Sequence, residues 1–411
     1  MPTLNGTNKS RSLSGTRGRA LLVTASRFGT IGINALVGVC TARALTVPDR
    51  GSLALSITLA SFLSLVFTAG PDTATLRAGN GPARKAAVGL AFRQVKLTAM
   101  AAIVCAALVL TLRPGMVMGL NNTELLVSLG LAPVLTLNQL LGNCVLSCGQ
   151  VVRWALANVL SISVYAVLAL VLFLNNVSFP SAFVVSLGIG YIFSMTLLLR
   201  HTWTDRGGFK SSESKILRRA GRATFVTTIV QLLLLRVQLP LLVVLSGPAA
   251  AGLLSVSLPI TELLLIAPVA ISSVLLPEYH ESSARADLVA THARKTVYLT
   301  ALCAIGVAAS APLVPWAYGR DYAGSVWPIL VIAPSMIAFA YARVLQSAMF
   351  ARDHFKPVTV ASALALVVSI LLQVILSPRY SELGAALAIA GAYITFAAAM
   401  GVSFRRLRAN A

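Results

Sequence analysis

The 411-residue chain is 57% hydrophobic and only 11% charged, with a mean hydropathy of +0.83. Soluble domains carry roughly a quarter charged residues, so this composition excludes a soluble enzyme or binding module and makes the bilayer the solvent. A formal net charge of +21 would suit a nucleic-acid binder. Here the Lys and Arg residues lie in short breaks between apolar runs, as the positive-inside rule requires, and no nucleic-acid partner is expected.

Residues 1–19 are basic and polar. The apolar run that follows is too long for a signal-peptide core and lacks a small-residue cleavage site, so an uncleaved cytoplasmic tail is expected. Runs of about 20 apolar residues can span a bilayer, and the pattern predicts twelve: 20–42, 51–70, 95–113, 124–147, 154–174 and 181–199, then 224–246, 249–277, 297–318, 326–350, 357–377 and 383–404. With alternating spans, 25 basic residues fall on the side of the N-terminus, five (Arg43, Arg50, Arg113, Arg320, Arg379) on the other, and three (Arg27, Arg236, Arg343) within the membrane. Both termini are therefore expected in the cytoplasm.

The basic, Ser-rich stretch 201–221 reads as a cytoplasmic linker between an N-terminal lobe, 20–200, and a C-terminal lobe, 222–404, with a short cytoplasmic tail at 405–411. Weak internal similarity supports the division. Arg19-Ala-Leu-Leu-Val-Thr matches Arg222-Ala-Thr-Phe-Val-Thr, and Gly51-Ser-Leu-Ala-Leu-Ser matches Gly252-Leu-Leu-Ser-Val-Ser. Six spans per half imply parallel repeats with a substrate site between them near mid-bilayer.

Charge within a membrane is costly and makes each ionisable residue there a functional candidate. At about 1.5 Å per residue, Arg236 lies roughly 18 Å into the seventh span and Glu262 roughly 20 Å into the eighth, both near the midplane. Arg27 and Arg343 lie nearer the cytoplasmic side, within snorkelling reach of the interface. On the first span Thr24, Arg27, Thr30, Asn34 and Thr41 form a polar stripe, which fits either a wet cavity or hydrogen bonds between helices. Thr136, Gln139, Asn143 and Ser147 on the fourth span read as interhelical hydrogen-bonding residues. Arg236 and Glu262 allow two readings. They could neutralise each other as a structural ion pair, or Arg236 could offer its guanidinium fork to phosphate while Glu262 serves as a proton or sodium site. Gln231 and Gln238 share a face that Arg236 does not, so one of those two faces is structural.

No nucleotide-binding glycine loop, HExxH or nucleophile elbow is present, and no loop is large enough for a catalytic domain. The chain is not expected to be an enzyme. Asp49, Glu124, Asp321 and Glu382 read as helix caps or solvated acids. The five cysteines, Cys40, Cys105, Cys144, Cys148 and Cys303, fall in apolar segments and read as packing residues. No metal site and no cofactor are expected beyond proton or sodium coupling.

Several stretches carry a family resemblance. They are Ser246-Gly-Pro-Ala-Ala-Ala-Gly252 running into Leu253-Leu-Ser-Val-Ser-Leu-Pro, Leu275-Leu-Pro-Glu-Tyr279, and Trp316-Ala-Tyr-Gly-Arg-Asp-Tyr322. To these add Ser377-Pro-Arg-Tyr380 through Leu383-Gly-Ala-Ala-Leu387, and the turn Ala42-Arg-Ala-Leu-Thr-Val-Pro-Asp-Arg-Gly51 in the first half. Together they resemble the oligosaccharide flippases of the multidrug/oligosaccharidyl-lipid/polysaccharide (MOP) exporter superfamily. The resemblance implies an all-α, MATE-like integral membrane fold of two pseudo-symmetric six-helix lobes working by alternating access in the bacterial plasma (inner) membrane. It also implies export of undecaprenyl-diphosphate-linked sugar units for surface polysaccharide, with polysaccharide-assembly proteins as partners. One departure is Arg236-Val-Gln238, where many relatives place an acid after an arginine.

The leading expectation is thus a flippase for a polyprenyl-diphosphate-linked oligosaccharide. Its cavity candidates are Arg27, Thr30, Asn34, Arg236 and Arg343, and Glu262 is its coupling-ion candidate. Membrane lipid and the lipid-linked oligosaccharide are the expected partners. The alternatives are a small-molecule cation antiporter of the same fold, for which the first span lacks the expected carboxylate, and a non-transporting scaffold of a polysaccharide-assembly complex. A membrane glycosyltransferase or polymerase would need a larger outer loop.

Overall fold

A computed structural model of the protein describes residues 26, 29–77, 82–112, 116–117, 119–202, 211–266, 268, 286–352 and 354–409. The basic tail and Arg27 lie outside the described residues. Apart from one small antiparallel hairpin, β1 (Met116–Val117) with β2 (Leu120–Asn121), the regular structure among these residues is helical.

The helices are α1 (29–44), α2 (Val47–Thr68), α3 (Pro71–Arg77), α4 (Pro82–Leu112), α5 (Asn122–Ser147), α6 (Val151–Leu174) and α7 (Pro180–Thr202). After the link come α8 (Ser211–Arg236), α9 (Gln238–Ser246), α10 (Pro248–Glu262), α11 (Ala286–Ser310), α12 (Val314–Tyr318), α13 (Val326–Ala351) and α14 (Phe355–Ala409). Among the described residues nine helices are long and apolar enough to cross a membrane, and α8 with α9 forms one further span bent by 42°. One of the nine, Phe355–Leu407, is 53 residues long and would far overrun a hydrocarbon core of about 30 Å if straight. Its backbone doubles back at Ser381 (φ 51°, ψ −126°), so that Gly384 lies against Leu376 and Gly391 against Leu372. The two arms are the eleventh and twelfth spans. With α1 as the described part of the first, the described residues account for twelve spans.

Most boundaries fall within a few residues of the hydropathy pattern, but three helices begin much earlier. α4 starts at Pro82, α8 at Ser211 and α11 at Ala286, whereas the pattern places these spans from 95, from 224 and from 297. Hydropathy marks where a helix enters lipid, and Arg84, Lys85 and Arg93 lower it without interrupting the backbone hydrogen bonds. Half of the stretch read as a linker is consequently helix.

Local sequence explains the helix ends. Thr46 caps α2, its hydroxyl accepting from the Asp49 amide and donating to the Asp49 carboxylate at 2.5 Å. At α5 the Glu124 carboxylate accepts from the Asn121 amide at 3.0 Å in a capping box. Between α8 and α9 the cause is Pro240. It has no N–H for the Arg236 carbonyl four residues back, and its ring crowds that carbonyl, so the span bends there.

α2, α5, α6 and α7 pack together around Leu53, Leu131, Phe183 and Leu187, and α4 joins them through Ala91 against Leu140 and Leu141 of α5. α8, α9, α10, α11, α13 and α14 pack around Leu234, Met336, Phe339, Ile389 and Phe396, where the Phe339 ring stacks on Tyr393 with centroids 4.3 Å apart. Only 11% of the Arg84–Leu112 window is buried against 61% of Arg320–Ala351, so α4 is peripheral and α13 central. Exposed leucines and isoleucines such as Leu36, Ile103, Leu302 and Ile305 suit a lipid-facing exterior.

The two groups of helices touch at both ends. At one end α2 crosses α10 with Gly51 facing Gly252. A Cβ on Gly51 would stand 1.9 Å from the Pro248 carbonyl oxygen, and one on Gly252 2.0 Å from that of Val47. The repeated motif therefore marks a crossing that only glycine permits. At the opposite end Gly70 (φ 85°) meets Gly221 of α8, where a Cβ on either would come within 3.0 Å of the other's backbone, and Thr224 Oγ1 donates to Thr73 Oγ1 at 3.1 Å.

Candidate functional site

Two cavities open between these helices and share one side chain, Arg236. The larger, about 410 Å³, is lined by Ser61 and Ser64 of α2, Asn138, Gln139 and Asn143 of α5, Trp154 and Asn158 of α6, Tyr191 of α7, and Leu232 and Arg236 of α8, with several aliphatic residues. The smaller, about 330 Å³, is bounded by Thr30 and Ile31 of α1, Leu235 and Arg236, Glu262 at the end of α10, Leu265, Ile266 and Tyr393.

Arg236 sits where the Pro240 bend interrupts the seventh span. Its Nη1 lies 3.8 Å from Glu262 Oε1, and both side chains remain about half exposed, at 48% and 40%. An ion pair this open is weak, roughly 0–1 kcal/mol, so a stronger anion can take the arginine from the glutamate. The structure thus supplies the expected pair and leaves it exchangeable.

The remaining candidates separate. Thr30 lines the smaller cavity, its hydroxyl bonded to the Ser26 carbonyl. Asn34 is exposed on α1 and borders neither cavity. Thr41, on the same stripe, is buried and bonds its own helix at Val37. Arg343 lines neither cavity; its Nη1 donates to Gln346 Oε1 at 3.1 Å, and Gln346 Nε2 donates to Gln231 Oε1 at 3.0 Å. The glutamine face of the seventh span is therefore the structural one: Gln238 is buried, and its carbonyl accepts from Gln373 Nε2 at 2.6 Å. On α5 the stripe divides. Thr136 bonds Ser64 at 3.0 Å and Thr98 at 3.3 Å as interhelical glue, while Gln139 and Asn143 face the large cavity.

No family model matches the sequence, and no curated protein sequence matches it. Solved structures do. A lipid II flippase, MurJ, in an inward closed conformation superposes with a TM-score of 0.77 at 13% identity, covering 94% of this chain and 87% of that one. A multidrug resistance MATE family transporter of the MOP superfamily, inward-facing, gives 0.70 at 12% identity over 90% and 94% of the two chains. The MATE multidrug transporter DinF-BH in complex with R6G gives 0.69 at 13% identity over 98% and 97%. The chain has the fold of the MOP-superfamily transporters.

On this MOP fold two charged residues stand out that the hydropathy reading left in loops. Arg50, placed outside the membrane by that reading, lies buried in the first turn of α2, donating to the Gly38 carbonyl at 3.2 Å beside Tyr318. Asp72 starts the short α3, outside the spans, and accepts from Asn143 Nδ2 and from Gln139. Desolvation raises its carboxyl above the ordinary value, and those two amides oppose the rise. The sequence signal for Asp72 was slight: a lone acid after Gly70-Pro71 in an otherwise basic stretch.

Proposed function

We propose that the protein is a flippase carrying a polyprenyl-diphosphate-linked oligosaccharide from the cytoplasmic to the outer leaflet for surface polysaccharide synthesis. The observation that carries this reading is the large cavity. Its polar lining consists of uncharged amides and hydroxyls beside Trp154 and Tyr191, and its one charged residue is the cation Arg236. Amides and hydroxyls match the hydrogen-bonding groups of a sugar, aromatic rings offer it flat apolar faces, and a guanidinium takes phosphate with two parallel bonds. A cavity of this volume falls within the range of small-ligand sites, about 300–1,000 Å³.

In this account the diphosphate displaces Glu262 from Arg236, the sugar fills the first-half cavity, and the polyprenyl tail stays in lipid. The basic ends of the helices face the cytoplasm of a bacterial plasma membrane, the lobes 20–200 and 222–404 move against each other, and polysaccharide-assembly enzymes supply and consume the cargo. Arg27 serves as a supporting cation, and Glu262, once freed, is the coupling-ion site. The chain carries cargo unchanged, without catalysis.

One observation favours the antiporter for small organic cations, namely a carboxylate in the first half, Asp72. It ranks second because Asp72 is not among the residues lining the cavity and stands behind Gln139 and Asn143. Ligand-induced stabilisation of the purified protein separates the two. A ligand at 100 times its Kd adds about 2.7 kcal/mol, so a polyprenyl diphosphate bearing a neutral disaccharide should raise Tm by several degrees, and R6G should not. Stabilisation by R6G alone would reverse the ranking.

A further inference from the structure

We infer that Asp72 is a latch: it occupies the amides of the cavity while the cavity is empty and thereby holds the two helix groups together at the Gly70–Gly221 end. The inference rests on the reading of the chain as a transporter but not on the identity of its cargo. Asp72 is a positioning residue here, acting through Gln139 and Asn143.

The geometry is a lever of seven residues. On one side of α3, Asp72 is held by Asn143 Nδ2 and Gln139 of α5. On the other side, at the adjacent residue, Thr73 accepts from Thr224 of α8, and Gly70 touches Gly221. α3 packs against both α5 and α8, so it ties the cavity wall of the first half to the second at this end. Gly70 has a positive φ of 85°, and neither glycine accepts a Cβ without displacement, so the seam closes only in a narrow geometry.

The link to the cavity is that Gln139 and Asn143 are shared. Both line the 410 Å³ space, and the NH₂ of each carries two N–H donors, one of which goes to Asp72. A head group that turns these amides toward itself, engaging both donors, takes the bonds from Asp72. A partly buried carboxylate stripped of its donors is left with its desolvation uncompensated. The relief is for α3 to move toward water, and that movement separates Thr73 from Thr224 and Gly70 from Gly221. Arrival of a ligand thus opens the seam, and by linkage an open seam binds ligand more tightly.

The test is disulfide formation across the seam. Thr73→Cys and Thr224→Cys are introduced together after the five native cysteines are replaced by alanine; the hydroxyl oxygens now stand 3.1 Å apart, close enough for bridging side chains. Oxidation is timed with and without a polyprenyl diphosphate bearing a neutral disaccharide, in backgrounds with Asp72, Asp72→Ala and Asp72→Asn. Fast bridging in the empty protein, at least fivefold slower with the probe, is expected. Asp72→Ala should bridge slowly throughout, with no further response to the probe, and Asp72→Asn, which keeps one acceptor oxygen, should fall between. Wild-type bridging rates in Asp72→Ala would overturn the latch. A probe that changes neither melting nor bridging of the Asp72 protein would count against the cargo, and the empty-state rate of Asp72→Ala would still decide the latch: slow bridging upholds it, fast bridging refutes it. Asp72→Asn serves the same decision should Asp72→Ala fail to fold.

Discussion

Arg236 owes its position to a neighbour with no charge. Pro240 bends the seventh span beneath it, and the half-exposed pair with Glu262 keeps the guanidinium neutralised without locking it away. Hydrogen bonds to charged groups contribute about 1.5–3 kcal/mol, so Arg236→Ala should weaken binding of a polyprenyl-diphosphate saccharide by roughly 10- to 150-fold, as measured by titration of the purified protein. Arg236→Lys should recover part of that loss, keeping the charge but not the fork. Asp72 predicts a pH effect. Its folded-state carboxyl lies above the unfolded value because desolvation favours the neutral form. Its contribution to stability is therefore full below the unfolded value and declines as pH rises through the folded one. Melting of the purified protein across the acid range should show this decline in wild type, and Asp72→Asn should flatten it; an unchanged profile would contradict the assignment. At this scale the sequence was only partly legible. Arg236 and Glu262 announce themselves as charges in apolar runs. Asp72 and Arg50 lie at helix starts, where local composition cannot tell a solvated turn from a packed one.

Between residues and whole lies the helix, and here hydropathy is informative because lipid imposes it. The fourth and tenth spans, expected at 124–147 and 326–350, are Asn122–Ser147 and Val326–Ala351. The pattern fails where a helix leaves the bilayer: α4, α8 and α11 continue through basic residues that no apolar count would include. The turn at Ser381 was foreseen as a break between spans, but its strain was not. A serine at φ 51°, ψ −126° lies outside the common L-residue regions, at a cost of order 1–3 kcal/mol. Ser381→Gly should therefore raise stability by about 1 kcal/mol in thermal melting. Gly51→Val should do the reverse, since its side chain would have to enter the Pro248 carbonyl, with a loss of about 1–3 kcal/mol or more.

Among the described residues the two groups of helices cross closely at a glycine contact at each end, with the two cavities between and the shared arginine at their junction. The excess of basic residues on one side, 25 against five, is the sequence's argument for which side faces the cytoplasm, and the repeat of Gly51 and Gly252, legible only as internal similarity, lies where the two groups of helices cross. The large cavity was not readable. Its walls come from α2, α5, α6, α7 and α8, and no local window contains two of those helices facing the same space. Polar residues such as Asn138, Asn158 and Tyr191 are ordinary in their own spans and acquire meaning only together. The central claim is that this space carries a lipid-linked saccharide across the membrane. The measurement that meets it most directly is translocation of a fluorescent undecaprenyl-diphosphate oligosaccharide in proteoliposomes, with wild type and Arg236→Ala compared at equal protein content. Leaflet exchange above the protein-free rate that falls at least tenfold in Arg236→Ala is the predicted result. No exchange by wild type, with or without a proton or sodium gradient, or equal exchange by both proteins, would contradict it.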